Sequence, residues 1–222
     1  MGNLLKQYQE VVKGPFDNHK GLFVIANNPK NKILLTGINP SDGIMDTRDD
    51  VPFKDCRGTY WNPIHHLLGK FDYDTAYVDL FPVHETKEEF FLKIKEDNQN
   101  YADYLARILE VTQREIERLN PKLIIHMNAQ SRYFWNPNEW LGYEMINTGY
   151  KVKNRHLKKI TGLSSSPLRI NQELKKTVLE ETYFLQYIDI TSRYATSHPN
   201  ALISTEEFEE LYQWVCNNST KL

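Results

Sequence analysis

Lys32–Ser41 (KILLTGINPS) is the stretch of sequence that decides the fold. Its first part, Lys32–Gly37, is a short apolar run that ends in glycine, which predicts a strand buried in the core. Gly37 permits a close approach of the backbone, and Pro40 fixes the turn that follows. Asn39 is therefore predicted to stand at the carboxyl end of a core strand, where its amide can orient a water molecule or the edge of a base. An ordinary strand-end turn is the alternative.

Apolar segments on both sides of this stretch predict further strands, and amphipathic segments between them predict helices. The predicted strands are Leu22–Ala26, joined to the central strand by a hairpin turn at Asn27–Asn31, then Ala76–Leu80, Leu123–Met127 and Tyr183–Ile190. The predicted helices are Trp61–Leu68, Tyr101–Leu119, Ala129–Trp135, and one that follows the N-cap Ser204 and ends near Cys216. Strands that alternate with helices indicate an α/β fold, here a three-layer α/β/α sandwich around a central, mainly parallel sheet of about four strands.

The composition suits one domain that spans residues 1–222. No internal repeat or linker interrupts it, and no apolar run approaches the roughly 20 residues of a membrane span, so we expect no membrane partner. Two cysteines, Cys56 and Cys216, are too few for a disulfide framework or a four-cysteine metal site. This favours a cytoplasmic protein without a bound metal, and we expect a monomer.

The net charge of −2 weighs against binding to a nucleic acid, because phosphate groups are usually met by a basic surface. A local basic patch could nevertheless serve this purpose. The stretch from Lys151 to Lys159 is the candidate, and within it Lys158 and Lys159 are predicted to contact DNA. A solvated charged loop is the alternative.

Two further segments could carry chemistry. Thr59–Gly69 has Tyr60 and a tryptophan near its start, and these rings could stack on a planar base or simply anchor a helix in the core. Its adjacent histidines point to different faces of a helix, so joint metal ligation is not expected. Ser197–Leu202 (SHPNAL) holds a histidine next to a proline, where the imidazole could donate to a developing anion or lack any function.

Together these segments resemble motifs of the uracil-DNA glycosylase superfamily. Gly37–Ser41 (GINPS) resembles the first motif, GINPG or GMNPG, of its mismatch-specific and single-strand-selective branches. Ser197–Leu202 resembles the second motif, His-Pro-Ser-Pro-Leu. Tyr60–Gly69 is similar to the Phe-Trp…Gly segment of the mismatch-specific branch, and Pro121–Ile125 is similar to the proline-led strand in mid-chain. The motifs follow the order of the family over about residues 30–218.

This resemblance implies hydrolysis of the N-glycosidic bond of uracil or another deaminated or damaged base in DNA, without a cofactor. Asn39 would position the hydrolytic water, Tyr60 would stack on the flipped base, and His198 would stabilise the departing base. Leu202 would fill the hole left in the duplex. The other residues implied in the base pocket are Gly37, Ile38, Pro40, Ser41 and Asp79. The other residues implied in DNA contact beside that wedge are Pro199 and Asn200.

Three departures from the family motifs leave parts of this reading open. Asp79 stands where many members have a base-reading asparagine, and an ionised carboxylate cannot donate a hydrogen bond. Ser41 replaces the usual glycine of the first motif. Residues 150–183 are predicted to be an insertion that contains Leu163–Leu168 (LSSSPL), a rival second motif. We favour His198, because it retains the histidine and immediately precedes the last helix.

Two other functions fit the same sequence. A glycosylase fold that has lost catalysis could bind a nucleic acid or a protein partner, and the acidity of the chain and Asp79 favour that possibility. A hydrolase of free nucleosides or nucleotides would suit the weak basic character. Excision of a base from DNA remains the prediction.

Overall fold

The computed structural model describes residues 4–12, 21–39, 51–58, 60–84, 99–127, 132–186 and 203–220. Mixed α/β architecture with a central, mostly parallel sheet is confirmed, but the main sheet has six strands rather than four. The strands are β1 (Ile25–Ala26), β2 (Ile33–Gly37), β3 (Val51–Pro52), β4 (Thr75–Asp79), β5 (Leu123–His126), β6 (Tyr143–Val152), β7 (Arg155–Leu163) and β8 (Tyr183–Gln186). The helices are α1 (Leu4–Val11), α2 (Trp61–Leu68), α3 (Gln99–Leu119), α4 (Arg132–Trp135) and α5 (Thr205–Asn218), with short 3-10 turns at Phe53–Asp55 and Gly69–Asp74.

The main sheet has the strand order β4-β2-β5-β8-β7-β6. Strands β4, β2, β5 and β8 are parallel, whereas β7 is antiparallel to β8 and β6 is antiparallel to β7. The parallel part of the sheet has four strands, and β6 and β7 extend it as a long hairpin. Only β7 lies entirely within the predicted insertion at residues 150–183, since β6 begins at Tyr143. We call the end of the sheet where β2, β4, β5 and β8 finish the carboxyl edge, and the opposite end the amino edge.

The predicted hairpin between Leu22–Ala26 and β2 is wrong. Instead, β1 pairs in parallel with β3 in a separate two-stranded sheet. The side chain of Asn27 then lies against the outer strand β4, where its amide nitrogen donates to the carbonyl of Tyr77 at 2.9 Å. Its amide oxygen accepts from the Tyr77 backbone N–H at 3.0 Å. The amide thus satisfies edge groups of β4 that would otherwise lack a strand partner.

Helices cover both faces of the sheet, as the continuous apolar character of the parallel strands requires. In β2, Leu34 packs in the core that α1 and α3 complete. Its neighbours Ile33 and Leu35 point to the other face, in the core that α2 and α5 complete. Alternation along each strand therefore assigns a side chain to the α3 face or to the α2–α5 face.

The last helix runs from the carboxyl edge to the amino edge. It starts with the predicted N-cap, because the Ser204 hydroxyl accepts from the Glu207 backbone and the Glu207 carboxylate accepts from the Ser204 backbone. Glu207 also pairs with Lys153 in the turn between β6 and β7, at 2.8 Å. At the other end, the carbonyl of Asn218 accepts from the Tyr183 hydroxyl, at the start of β8. Among the described residues, no helix combines the length and the apolar character needed to cross a bilayer.

Candidate functional site

Gly37 and Asp79 lie side by side where β2 and β4 reach the carboxyl edge. A Cβ atom on Gly37 would stand 2.3 Å from the Asp79 Oδ1 atom and 2.5 Å from the Tyr77 hydroxyl oxygen. Both distances are far below contact distance, so any larger residue at position 37 would displace one of these groups. The glycine of the first motif is thus required by the carboxyl and phenol groups that occupy the space beside it.

Tyr77 links the carboxylate to the aromatic residues in front of α2. Its hydroxyl donates to Asp79 Oδ1 at 2.8 Å and is also hydrogen bonded to Tyr60. The ring stacks on Phe53 at a centroid distance of 6.2 Å and meets Trp61 edge-on at 4.8 Å. The structure therefore brings together Gly37, Tyr60 and Asp79, which the sequence assigned to one pocket, through a tyrosine that the sequence analysis missed.

Asp79 is only 5% exposed. Burial raises the pKa of its carboxyl group to about 7, although the hydrogen bond from Tyr77 acts in the opposite direction. A large fraction of the molecules consequently carries a neutral Asp79 at physiological pH. A neutral carboxylic acid can donate a hydrogen bond, which an ionised one cannot. Neutral Asp79 could therefore donate a hydrogen bond to a ligand, as the amide of an asparagine could.

The backbone of the first motif is fixed to the residues after β4. The carbonyl of Gly37 accepts from the Leu80 N–H at 3.1 Å, and the carbonyl of Ile38 accepts from the Phe81 N–H at 2.7 Å. Asn39 follows, half-buried at the carboxyl edge. The side chain of Ile38 does not line the candidate site, because alternation turns it to the α3 face, where it is 2% exposed. Its assignment to the base pocket is therefore wrong for the side chain.

His126 is a second buried polar residue that the sequence analysis did not single out. It ends β5 next to Thr36 of β2, and the Thr36 hydroxyl lies 2.6 Å from its Nδ1 atom. Its Nε2 atom has no hydrogen-bond partner among the described residues. Burial lowers the pKa of the imidazole to about 3, so the ring is neutral. His126 and Thr36 point to the α3 face, whereas Asp79 and Tyr60 lie toward α2, so the two polar groups are separated by the sheet.

The rival second motif, Leu163–Leu168, lies at the amino edge. β7 runs antiparallel to β8, and its Leu157 is level with Leu185 and hence with Leu35. Leu163 is six residues further toward the amino edge and Gly37 is two residues further toward the carboxyl edge. Eight residues of extended chain separate them by roughly 26 Å. The hydroxyl of Ser164 bonds the Pro137 carbonyl there, so this serine-rich turn has a local structural role.

The two lysines assigned to DNA contact point to opposite faces of β7. Lys159 lies on the α2–α5 face near the amino edge and pairs with Glu181 at 3.1 Å. Lys158 lies on the α3 face beside Phe184. Their stretch is a pair of strands rather than the solvated loop that was the alternative. Lys158 and Lys159 are adjacent in the sequence, but they lie on opposite faces of the sheet because side chains alternate along a strand.

His65 has a structural role. Its Nδ1 atom lies 2.6 Å from the Asp72 carboxylate and its Nε2 atom 2.8 Å from the Cys56 carbonyl, so neither nitrogen is free for a metal. Within the described part of the chain, no cluster of three or more histidine, cysteine or acidic residues could hold a metal ion. Six assigned residues lie outside the described residues: Pro40, Ser41, His198, Pro199, Asn200 and Leu202.

No protein-family model matches the chain, and comparisons with the curated proteins and with the solved structures give no match. The functional assignment consequently rests on the short motifs and on the geometry of the carboxyl edge.

We predict that Gly37→Ala destabilises the protein by about 2 kcal/mol, because the new methyl group overlaps the Asp79 and Tyr77 oxygens. Gly162→Ala in β7 is the matched control, since the nearest side-chain atom there, on Glu144, is 4.0 Å away. Urea denaturation of both variants measures the difference. Equal midpoints for the two variants would show that the Asp79 carboxyl can move away from position 37 at no cost.

We also predict that Asp79→Asn gains stability relative to wild type as the pH rises. A carboxyl pKa raised from 3.8 to about 7 stabilises the folded state fully below about pH 4, and this contribution is lost as the pH rises through 7. The loss amounts to about 4 kcal/mol for a shift of this size. Denaturation at pH 4.5 and 8.5 should therefore show a growing advantage of the variant. The exposed Asp103→Asn is the control, and a parallel pH trend for both variants would contradict a buried neutral Asp79.

Proposed function

We propose that the protein is a DNA glycosylase of the uracil-DNA glycosylase type, which hydrolyses the N-glycosidic bond of a deaminated or damaged base. The observation that carries the proposal is the contact of Gly37 with Asp79 and, through Tyr77, with Tyr60 at the carboxyl edge, two residues before Asn39 in the chain. In open α/β sheets, ligands bind beyond the carboxyl ends of the strands. The first motif follows β2, one of the two inner strands of the parallel part of the sheet, at this edge.

In this proposal, a base flipped out of the DNA stack enters the edge between the first motif and α2. Asn39 orients a water molecule toward the sugar carbon while the glycosidic bond lengthens. Tyr60 provides an aromatic ring for the base, and its contact with Tyr77 holds it beside the buried acid. Neutral Asp79 donates a hydrogen bond to a carbonyl oxygen of the base. Positive charge develops on the sugar, and the base departs as an anion.

His198 is the residue to which we assign the stabilisation of this anion, because Ser197–Leu202 retains the histidine of the second motif and precedes the last helix in the sequence. The rival motif, Leu163–Leu168, lies at the amino edge, about 26 Å from Gly37 along the strands.

A binding protein without catalytic activity is the second candidate. Burial raises the pKa of Asp79 to about 7, so the ionised form is accessible near neutral pH, and that form would repel the departing anion. This candidate would bind a nucleic acid or a protein partner, and it differs from the enzyme in one readout, because only the enzyme leaves an abasic site in DNA.

The testing experiment is single-turnover cleavage of duplex and single-stranded oligonucleotides that carry uracil, thymine mispaired with guanine, hypoxanthine or xanthine. We predict that wild type excises at least one of these bases and that Asn39→Ala lowers the rate about 100-fold, as expected for the loss of one positioned catalytic group. Ser165→Ala, a polar deletion at the amino edge, is the matched control and should cleave at the wild-type rate.

Two other results would each change the conclusion. Cleavage by Asn39→Ala at the wild-type rate would remove Asn39 from the chemical step. Absence of cleavage on every substrate by wild-type protein, together with retained binding to DNA, would establish the non-catalytic candidate.

A further inference from the structure

The β6–β7 hairpin carries basic side chains on the face that lies opposite α5. Val152 and Leu157 pack in the core beneath α5, so they define the inner face of the hairpin. Lys151 pairs in register with His156, and alternation turns both to the other face, together with Lys158. We call Lys151, His156 and Lys158 the basic stripe.

The basic stripe is accessible to a ligand. Lys151 and His156 are exposed, and Lys158 is half-exposed beside the apolar ring of Phe184. The imidazole of His156 lies 2.9 Å, at its Nδ1 atom, from the side-chain amide of Asn147 on the neighbouring strand. A long lysine side chain can lie along such a surface and keep its ammonium group in water. The stripe therefore presents two ammonium groups and a ring nitrogen outward.

Two acidic residues that pair with the hairpin do so away from the stripe. Glu207 of α5 pairs with Lys153 in the turn, and Glu181 pairs with Lys159 on the inner face. In the part of the chain that the structure describes, neither Lys151 nor Lys158 forms an ion pair. The stripe therefore concentrates positive charge on one face of the hairpin, in a chain whose net charge is −2.

The stripe rises toward the carboxyl edge, where Lys151 and His156 flank the turn between β6 and β7. β7 is three strands away from β2, which carries the first motif, and three strand spacings amount to about 15 Å. The stripe lies on the α3 face, whereas Asp79 and Tyr60 lie toward α2, so a DNA strand with one base at Asn39 reaches the hairpin by passing over the carboxyl edge. Phosphates of one DNA strand advance by roughly 3.4 Å along the helix axis, so a few nucleotides cover that distance.

We propose that the basic stripe binds the phosphate backbone of the DNA strand whose base enters the site at the carboxyl edge. The choice of DNA rests on the proposed function; the position and charge of the stripe do not. Lysine ammonium groups neutralise phosphates and release counterions, which makes such binding strongly dependent on salt. On this proposal, the β6–β7 hairpin is the part of a protein with a net negative charge that binds the nucleic acid.

The test measures binding of an undamaged 20-nucleotide DNA, labelled with a fluorophore, by anisotropy between 25 and 200 mM salt. The variant is Lys151→Gln/Lys158→Gln. The control is Lys175→Gln/Lys176→Gln, which removes the same charge from two exposed lysines in the loop between β7 and β8, away from the carboxyl edge. We expect the stripe variant to bind at least about tenfold more weakly at low salt, with a salt slope smaller by about two, and the control to bind as wild type does.

Two results would overturn the proposal. One is a stripe variant that binds DNA as tightly as the lysine control does, and the other is wild-type protein that does not bind DNA at 25 mM salt.

Failure of this proposal can be distinguished from failure of the proposed function. Undamaged DNA offers nothing to excise, so the binding result does not depend on catalysis. Stripe-dependent binding without excision of any base would support the stripe and reject the glycosylase. Excision by wild type, with unchanged affinity in the stripe variant, would reject the stripe alone.

Discussion

The Asp79 carboxyl group is buried against Gly37, under the hydroxyl of Tyr77, and the candidate site depends on this contact. Burial of a carboxyl group in an apolar surrounding favours its neutral form, because an isolated charge there is poorly solvated. The contact also dictates a residue without a side chain on the neighbouring strand. A single buried acid therefore explains both the absence of a side chain at position 37 and the presence of a neutral carboxyl group at the end of β4.

The parallel strands give this contact its location. Because β2, β4, β5 and β8 share one direction, the residues that end them collect at a single edge. The two faces of the sheet then divide the polar groups. Asp79, Tyr77 and Tyr60 lie toward α2, whereas the neutral His126 and its partner Thr36 lie toward α3. The hairpin extends the sheet beyond β8 and brings a positive surface to the same edge without altering the parallel core.

Much of the fold could be predicted from the sequence, because the relevant signals are local. Helix α3 follows from its apolar spacing, α5 from the cap at Ser204, and the parallel strands from their continuous apolar runs. The β6–β7 hairpin could not be predicted, since most residues of both strands are exposed or only partly buried and basic residues surround the turn between them, a pattern that resembles a solvated loop. The pairing of β1 could not be predicted either, because its partner β3 is distant in sequence, as is the strand β4 that Asn27 contacts.

The candidate site divides in the same way. Gly37, Asn39, Tyr60 and Asp79 stand in short motifs, so sequence could name them. The role of Tyr77 depends on alternation along β4 and on the gap left by Gly37, and the ionisation of Asp79 depends on burial, neither of which a motif records.

The most direct test is a 13C NMR titration of the Asp79 carboxyl carbon in the folded protein. A pKa near 7 is predicted, and a pKa near 4 would show that the acid is solvated and ionised, which would contradict the site described above.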